Sequence, residues 1–190
     1  MQKWVLLGLI VLLTACASLP PTQSDDVCAT FQENQAWYTQ SLQVTARWGL
    51  PVAVQMAIMH QESHFIADAR PPRRWLLGII PWFRPSSAYG YAQALDDTWA
   101  QYLNSAGTRD AQRDTFADAA DFIGWYSHLS YRKLGIAKTD AKRLYLAYHE
   151  GHEGYVRGGH LRKAWLRRVA DKVDLRARRF ANQLQHCAVH

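Results

Sequence analysis

The sequence predicts a single, mainly α-helical domain. Its 190 residues are enough to bury one hydrophobic core but not comfortably two. Apolar residues recur at helical spacing in several stretches, and glycine, proline and polar residues separate those stretches. The predicted helices lie at 27–48, 51–65, from 98 onward, and at 118–134, 141–150 and 161–180. We therefore expect these helices to pack around one core.

The helix predicted at 51–65, with the sequence PVAVQMAIMHQESHF, carries one carboxylate on its apolar face. Pro51 suits the first turn of a helix, where its missing N–H is no loss. One side of this helix presents Val54, Ile58, Glu62, Phe65 and Ile66. A buried carboxyl resists ionisation, and the protonated carboxyl is the form that a general acid needs. The alternative is that Glu62 ends the helix and its side chain simply reaches water.

Residues 1–15 are predicted to be a lipoprotein signal peptide. Lys3 supplies a positive charge, and the apolar run at 5–13 is too short to be a stable transmembrane helix. The sequence Leu-Thr-Ala-Cys that ends at Cys16 resembles the lipobox of bacterial lipoproteins, in which the cysteine carries the lipid. Ala17, in place of an aspartate, favours the outer membrane. A plain secretory signal cut near Ala17 is the alternative.

Residues 16–26 are predicted to form the lipidated cysteine and a flexible tether, because SLPPTQSDD is rich in proline and polar residues. Residues 27–190 then form the folded domain. With Cys16 lipidated, Cys28 and Cys187 remain as a pair in an oxidising compartment. We predict a disulfide bond between them at the two ends of the domain, and two free buried thiols are the alternative.

The formal net charge of +6 favours an anionic partner without identifying it. Anionic lipid and the bacterial cell wall qualify, whereas nucleic acid lies in the wrong compartment for a protein with a signal peptide. A separate apolar run from Trp75 to Phe83 is bounded by arginines and prolines and should not be left bare in water. This run is a candidate flap, membrane contact or protein-partner surface, or else a short buried excursion into the core.

Three short motifs follow one another along the chain: Glu62-Ser63, Gly90-Tyr91-Ala92-Gln93 and Ala147-Tyr148-His149-Glu150-Gly151. In this order they resemble the lytic transglycosylases of the soluble-lytic type. That family has a Glu-Ser at the end of a buried helix, a Gly-x-x-Gln turn and a later Ala-Tyr-Asn-Ala-Gly helix end. The likeness covers residues 50–155. It implies a lysozyme-like transglycosylase fold and peptidoglycan glycan strands as the substrate.

By this resemblance Glu62 is the catalytic acid and then the catalytic base. It would protonate the oxygen between N-acetylmuramic acid and N-acetylglucosamine, and then deprotonate the 6-hydroxyl that closes onto C1 as an anhydro ring. One carboxylate suffices, and neither a metal nor a cofactor is predicted. Tyr148 is expected to point its hydroxyl towards the neighbourhood of Glu62. Substrate binding or shaping of the cleft is assigned to Ser63, Tyr91, Gln93, Tyr148 and Glu150.

The chain departs from the family pattern at two places. The span from Glu62 to Gly90 is longer than usual because it contains the apolar run described above. In addition, His149-Glu150 stands where the family has Asn-Ala. If Glu150 held a water molecule, the enzyme would instead be a lysozyme-type hydrolase that uses a second carboxylate and releases a reducing end.

Two further hypotheses compete with a transglycosylase. His60 and His64 have the spacing of a helical zinc site, but a zinc protease places its glutamate directly beside one of the histidines, and Glu62 stands midway. A non-catalytic wall-binding lipoprotein is the other alternative, although such a scaffold has no need for a carboxylate on an apolar stripe. We therefore predict a periplasmic enzyme that is anchored to the outer membrane by its N-terminal lipid.

Overall fold

The computed structural model describes residues 19–73 and 84–187, together with the backbone of 75–76 and 80–81. The predicted signal peptide, the lipidation at Cys16 and the first residues of the tether lie outside this part of the chain. The described residues are mostly helical and build one core, which confirms the prediction of a mainly α-helical single domain.

Seven α-helices lie within the described residues, and a single 3₁₀ turn at Gly159–Arg162 precedes the last of them. The helices are α1 (Val27–Glu33), α2 (Gln35–Trp48), α3 (Val52–Ser63), α4 (Asp96–Ser105), α5 (Phe116–Leu134), α6 (Ala141–Val156) and α7 (Ala164–His186). None of these helices is both long enough and apolar enough to cross a membrane.

Helix α3 is the centre of the fold because it is buried on every side. Every residue from 52 to 60 is buried, and α2, α5, α6 and α7 pack around the helix. A helix that is apolar all round has no face to present to water. The prediction of one buried face was therefore wrong, since the other faces of the helix are buried as well. Ile66 was wrongly included in that face, because it lies beyond the helix and is 39% exposed. Phe65 is buried as predicted.

The one polar side chain deep in the first half of α3 ties this helix to α2. Gln55 donates its amide hydrogens to the carbonyl oxygens of Ser41 and Leu50, at 3.1 Å and 2.8 Å. It also donates to the hydroxyl oxygen of Thr45 at 3.0 Å. A buried amide is costly unless it is hydrogen-bonded, so these contacts fix the position of α3 relative to the end of α2.

Two predicted helices differ from the observed ones at polar or glycine positions. The helix predicted at 27–48 is divided into α1 and α2 by Asn34, whose φ of −133° and ψ of 69° are not helical. The helix predicted at 141–150 ends before Gly151 as expected, because Gly151 has a non-helical φ of 71° and ψ of 157°. A second helical segment follows this kink at once and continues to Val156, and the two segments together make up α6.

The buried face of α7 differs from the prediction. Helical spacing within the helix predicted at 161–180 places Leu161, Trp165, Val169 and Val173 on one buried stripe, but Leu161 and Trp165 are 65% and 50% exposed. The helix begins only at Ala164, after the 3₁₀ turn, so the register of the earlier residues does not continue into it. The buried side consists of Leu166, Ala170, Val173, Ala177 and Phe180.

The apolar run from Trp75 to Phe83 is not helical where the structure describes it. Strands β1 (Trp75–Leu76) and β2 (Ile80–Pro81) pair antiparallel, with Trp75 opposite Pro81 and Leu76 opposite Ile80. The connecting residues and the end of the run lie outside the described residues. A protein partner for this surface therefore stays a prediction.

A disulfide bond joins Cys28 near the start of α1 to Cys187 at the end of α7, as the cysteine count predicts. Two polar contacts strengthen the same junction. The side-chain oxygen of Gln183 accepts a hydrogen bond from the backbone N–H of Val27 at 3.0 Å. Arg176 forms an ion pair with Asp25 at 3.2 Å. The first and last helices are thus fastened together beside α3.

Replacing both cysteines, in Cys28→Ser/Cys187→Ser, should lower the free energy of unfolding by about 2–5 kcal/mol, because the bridge closes a loop between residues 159 positions apart. Denaturant unfolding of the oxidised protein and the double variant measures the difference. Reduction of the unmodified protein should produce the same loss. Equal stability of the oxidised and reduced proteins would rule out a structural role for the bond.

Candidate active site

Glu62 lies in the last turn of α3, where the chain leaves the core abruptly. His64 and Phe65 follow with φ values of 52° and 62°. These values lie in the left-handed region of backbone conformation, which residues other than glycine rarely adopt. The N–H of His64 donates to the carbonyl of His60 at 2.9 Å, and the N–H of Ile66 donates to Ser63 at 3.0 Å. These contacts end the helix immediately after Glu62.

The burial of Phe65 maintains this unusual backbone. Its side chain is 1% exposed, and its ring lies 5.9 Å from that of Trp37 and 5.6 Å from that of His60, between ring centres. Straightening the turn would expose the ring, and a buried phenylalanine contributes about 1.5–3 kcal/mol. Strain of this kind persists where the surrounding packing determines the conformation. The position of Glu62 is therefore set by the core.

The Glu62 carboxyl is largely removed from water although the residue as a whole keeps some exposed surface. Burial raises its pKa from 4.5 to about 7, and a hydrogen bond from the Tyr145 hydroxyl opposes this effect only in part. Its place near the C-terminal end of α3, where the helix dipole is negative, also disfavours the ionised form. Glu62 is therefore substantially protonated at neutral pH.

Tyr145 is the functional neighbour of Glu62 that the sequence motifs did not identify. It lies on α6, three residues before Tyr148, and residues at this spacing share one face of a helix. Its side chain is buried, and the Glu62 charge and the hydrogen bond to Glu62 add to burial in raising its pKa. The helical spacing between Tyr145 and Tyr148 is the feature of the sequence that could have identified Tyr145. Tyr145 therefore holds the carboxyl that Tyr148 was expected to approach.

Tyr148 instead donates its hydroxyl to the carbonyl oxygen of Ala92 at 2.6 Å. The hydroxyl still lies in the neighbourhood of Glu62, as expected, although its hydrogen bond goes elsewhere. Burial, followed by the Glu62 charge, raises the pKa of Tyr148 well above its ordinary value. The hydrogen bond ties α6 to the turn that carries the second motif.

That turn requires its glycine and is closed by its glutamine. Gly90 has φ 80°, and a Cβ atom there would lie 2.0 Å from the carbonyl oxygen of Arg113. The Gln93 amide donates to the carbonyls of Ala69 and Gly90, at 2.9 Å and 2.8 Å. Gln93 therefore connects the turn to the loop that follows Glu62.

Two further residues of the predicted substrate-binding set, Ser63 and Tyr91, point into the protein. Ser63 is 4% exposed, and its hydroxyl donates to the carbonyl oxygen of Met59 at 3.3 Å. Tyr91 is 2% exposed, and its ring meets those of Trp37 and Phe116 edge-on. Both residues are placed to support the walls of a cleft.

A cavity of about 200 Å³ opens between the second motif and the α5 and α6 helices. Gln93 and Tyr148 contribute to its wall, and Tyr148 connects the cavity to Glu62, whose charge acts on the Tyr148 hydroxyl although Glu62 does not itself line the cavity. Its remaining lining is polar or aromatic for the most part: Ala94, Leu95, Thr98, Phe122, Tyr126, His149, Glu150 and Gly151. Rings with exposed edges and adjacent hydrogen-bonding groups are suited to a polar ligand that has flat apolar faces.

Glu150 lines the same cavity but has the opposite electrostatic environment. Its side chain is only 6% exposed, and its carboxylate accepts a hydrogen bond from the Lys163 ammonium at 2.7 Å. His149 lies 3.3 Å from the same oxygen. The Lys163 ammonium, ahead of His149, lowers the pKa of Glu150. Glu150 is thus ionised under conditions in which Glu62 keeps its proton.

A larger cavity of about 540 Å³ lies at the opposite end of α3, against Pro51 and Ala53. It is remote from Glu62, so its size does not make it the reaction site.

The histidine pair of α3 is not arranged as a metal centre. His60 is 3% exposed and burial lowers its pKa to about 4, whereas His64 is exposed. Among the described residues, no group of three or more histidine, cysteine or acidic side chains is placed to hold a metal ion.

A family model described as transglycosylase SLT domain matches residues 4–187. The chain belongs to the SLT transglycosylase family. Its helical architecture is the lysozyme-like fold of these domains, and enzymes of the family act on peptidoglycan. No curated protein and no solved structure matches the chain.

Replacing Glu62 should stabilise this SLT domain at high pH. Because the folded protein holds the Glu62 proton up to about pH 7, against 4.5 for an ordinary glutamate, ionisation of the buried carboxyl lowers stability as the pH rises through this range. Glu62→Gln removes this ionisation. The difference in free energy of unfolding between Glu62→Gln and the unmodified protein should therefore shift by about 3 kcal/mol in favour of the variant when the pH is raised from 4 to 8. Denaturant unfolding at both pH values measures it. The exposed Glu153→Gln variant is the control, and an equal gain there would contradict this prediction.

Removing the Tyr145 hydroxyl should raise the Glu62 pKa further. The hydrogen bond favours the carboxylate, so Tyr145→Phe should move the titration midpoint upward by on the order of one pH unit. Carbon NMR of the Glu62 side-chain carboxyl, followed from pH 4 to pH 10, measures the midpoint. Tyr131→Phe, on the half-exposed part of α5, should leave it unchanged. A midpoint that stays near 7 in Tyr145→Phe would exclude a functional hydrogen bond.

Proposed function

We propose that this SLT domain is a peptidoglycan lytic transglycosylase in which Glu62 serves as the catalytic acid and then as the base. The observation that carries the proposal is the buried Glu62 carboxyl, which lies close to Tyr148 in the wall of a polar and aromatic cavity. A general acid works best when its pKa lies near the working pH, and a pKa of about 7 meets this condition.

The reaction begins with the Glu62 proton. The carboxyl donates it to the glycosidic oxygen between N-acetylmuramic acid and N-acetylglucosamine, and the bond from C1 to that oxygen breaks. The bonding electrons leave with the oxygen, and positive charge develops at C1. The Glu62 carboxylate then takes the proton of the 6-hydroxyl of the same muramic acid while its oxygen bonds to C1. A 1,6-anhydro ring forms, no water is consumed, and Glu62 regains its proton.

Tyr145 is proposed to position Glu62 through this cycle. Its hydroxyl donates to the carboxyl, and the same bond becomes stronger when the carboxyl loses its proton to the leaving oxygen. The burial that raises the Glu62 pKa and the hydrogen bond that opposes it leave the pKa near 7. A much higher or a much lower Glu62 pKa would be less useful, because the same carboxyl group has to release a proton and then take one up.

The other motif residues are proposed to bind or frame the glycan strand. Gln93, Tyr148 and Glu150 line the cavity, so they are the candidates for direct contact with sugar groups. Ser63 and Tyr91 are proposed to act indirectly, since their side chains are buried. Neither a metal nor a cofactor has a place in this mechanism.

We also propose that the protein is a lipoprotein of the outer membrane that works in the periplasm. The leader at 1–15 and the lipobox cysteine Cys16 support this proposal. The tether at 16–26 would let the domain, which continues to residue 190, reach away from the lipid bilayer. A non-catalytic wall-binding role is less consistent with a desolvated Glu62, because burying that carboxyl lowers stability at neutral pH without benefit to a scaffold.

A lysozyme-type hydrolase is the second candidate, and the placement of Glu150 is the observation in its favour. Two carboxylates whose environments push their pKa values apart are typical of an acid paired with an ionised partner. Glu150 lines the cavity and is ionised. Its oxygen is, however, engaged by Lys163 at 2.7 Å, which opposes a role in activating water. The transglycosylase is therefore preferred.

The mass of the released products distinguishes these functions. Digestion of purified peptidoglycan should yield muropeptides that are lighter by one water than hydrolysis products, because the anhydro ring replaces addition of water. Glu62→Gln should reduce their formation by a factor of about 10² to 10⁴. Mass spectrometry of the soluble fraction measures both the mass and the yield. Glu153→Gln, at an exposed position on the same helix as Glu150, should be as active as the unmodified protein.

Other results would redirect the assignment. Reducing-end products that disappear in Glu150→Gln would establish the hydrolase in place of the transglycosylase. Full activity of Glu62→Gln would exclude Glu62 as the acid. No product from any of the proteins would contradict the enzymatic proposal and favour the wall-binding scaffold.

A further inference from the structure

We propose that a second cavity, on the far side of Glu150 from the reaction site, binds a carboxylate of the peptide stems that peptidoglycan strands carry. This basic cavity is lined by Arg157, Arg162 and Lys163, together with Glu150 and two glycines. The inference rests on the proposed function, because it assigns a further part of the same substrate to a further part of the cleft.

In the wall of the basic cavity, the backbone comes unusually close to Glu150. It has a volume of about 340 Å³, and Gly154 and Gly159 line it beside the carboxylate. A Cβ atom on Gly159 would lie 2.2 Å from Oε2 of Glu150 and 3.2 Å from the carbonyl oxygen of Gly154. Any other residue at 159 would force Glu150 or the backbone to move. The space is therefore a built feature of the α6–α7 connection.

Positive charge predominates in this cavity. The charge of Lys163 is compensated by Glu150. Arg157 forms only an exposed ion pair with Glu153 at 3.3 Å, and such a pair is weak in water and leaves the arginine available to a ligand. Arg162 is exposed and has no ion-pair or hydrogen-bond partner anywhere in the described part of the chain. A free guanidinium next to a second one favours an anion, and its planar array of donors fits a carboxylate with two parallel hydrogen bonds.

Glu150 connects the basic cavity to the cleft beside Glu62. It lines both cavities, with Gln93 and Tyr148 on one side and Arg162 on the other. Because its side chain is buried, it forms the partition between them. A glycan bound in the cleft would thus bring a stem that branches from its muramic acid close to the two arginines. Lys163 neutralises the partition, so Glu150 does not repel an arriving carboxylate at full strength.

The test measures binding to the Glu62→Gln protein, which keeps the ligand intact. Two synthetic tetrasaccharides of peptidoglycan serve as ligands, one with free stem carboxylates and one with those carboxyls converted to amides. Isothermal titration should give tighter binding of the free-acid ligand. Adding Arg162→Gln should weaken its binding roughly fivefold, the order expected for one charged contact at an exposed site, and leave the amide ligand unchanged.

Arg168→Gln is the matched control, since Arg168 is an exposed arginine on α7 outside the basic cavity. It removes the same charge and should preserve the difference between the two ligands. The Arg162 effect should also decrease as salt is raised. Equal losses in the two arginine variants would show general attraction between a basic protein and an anion, and would overturn the assignment.

Two other results also decide the matter. If Arg162→Gln binds both ligands as its parent does, or weakens both equally, the cavity does not recognise the stem carboxylate and only this inference fails. If the Glu62→Gln parent binds neither ligand, the proposed function fails together with the inference. The two failures are therefore distinguishable.

Discussion

The structure depends on the complete burial of α3, which ends in a carboxyl that water cannot solvate well. Four helices enclose α3, and the left-handed turn at His64 and Phe65 brings the chain out of the core directly after Glu62. The packing that stabilises the fold thereby also raises the Glu62 pKa to about 7. Stability and reactivity have one physical origin here, since both follow from excluding water from the end of this helix.

The cleft separates two glutamates by their surroundings. Glu62 is buried and receives one hydrogen bond from Tyr145, so burial dominates and raises its pKa. Glu150 faces Lys163, so the hydrogen bond from the ammonium outweighs burial and lowers its pKa. Identical side chains thus carry different charge at neutral pH. On this basis one is suited to proton transfer, and the other holds the Lys163 ammonium at the edge of the cavity.

Several features of the fold were accessible from sequence because they are local. Apolar spacing located the helices, and the family motifs located Glu62 and the Gly90–Gln93 turn. Errors arose where local spacing does not decide. Helical spacing placed Trp165 on the buried stripe, but this residue lies in the first turn of α7 and is half-exposed, whereas the adjacent Leu166 is buried. Tyr148 lies near Glu62 as expected, but its hydroxyl donates to the carbonyl oxygen of Ala92, and a hydrogen-bond partner so remote in sequence cannot be predicted from spacing.

The sequence by itself determined that the protein is mainly helical, which cysteines pair, and which carboxyl group lies at the end of the buried helix, because periodicity, motif order and residue count are properties of the chain. Only the tertiary structure decided the chemistry of that acid. The pKa of Glu62 depends first on its burial among the packed helices and then on the Tyr145 hydroxyl. The role of Glu150 depends on Lys163, thirteen residues away. Desolvation and Coulomb interactions act through space, and distances in space are set by the packing of the whole fold.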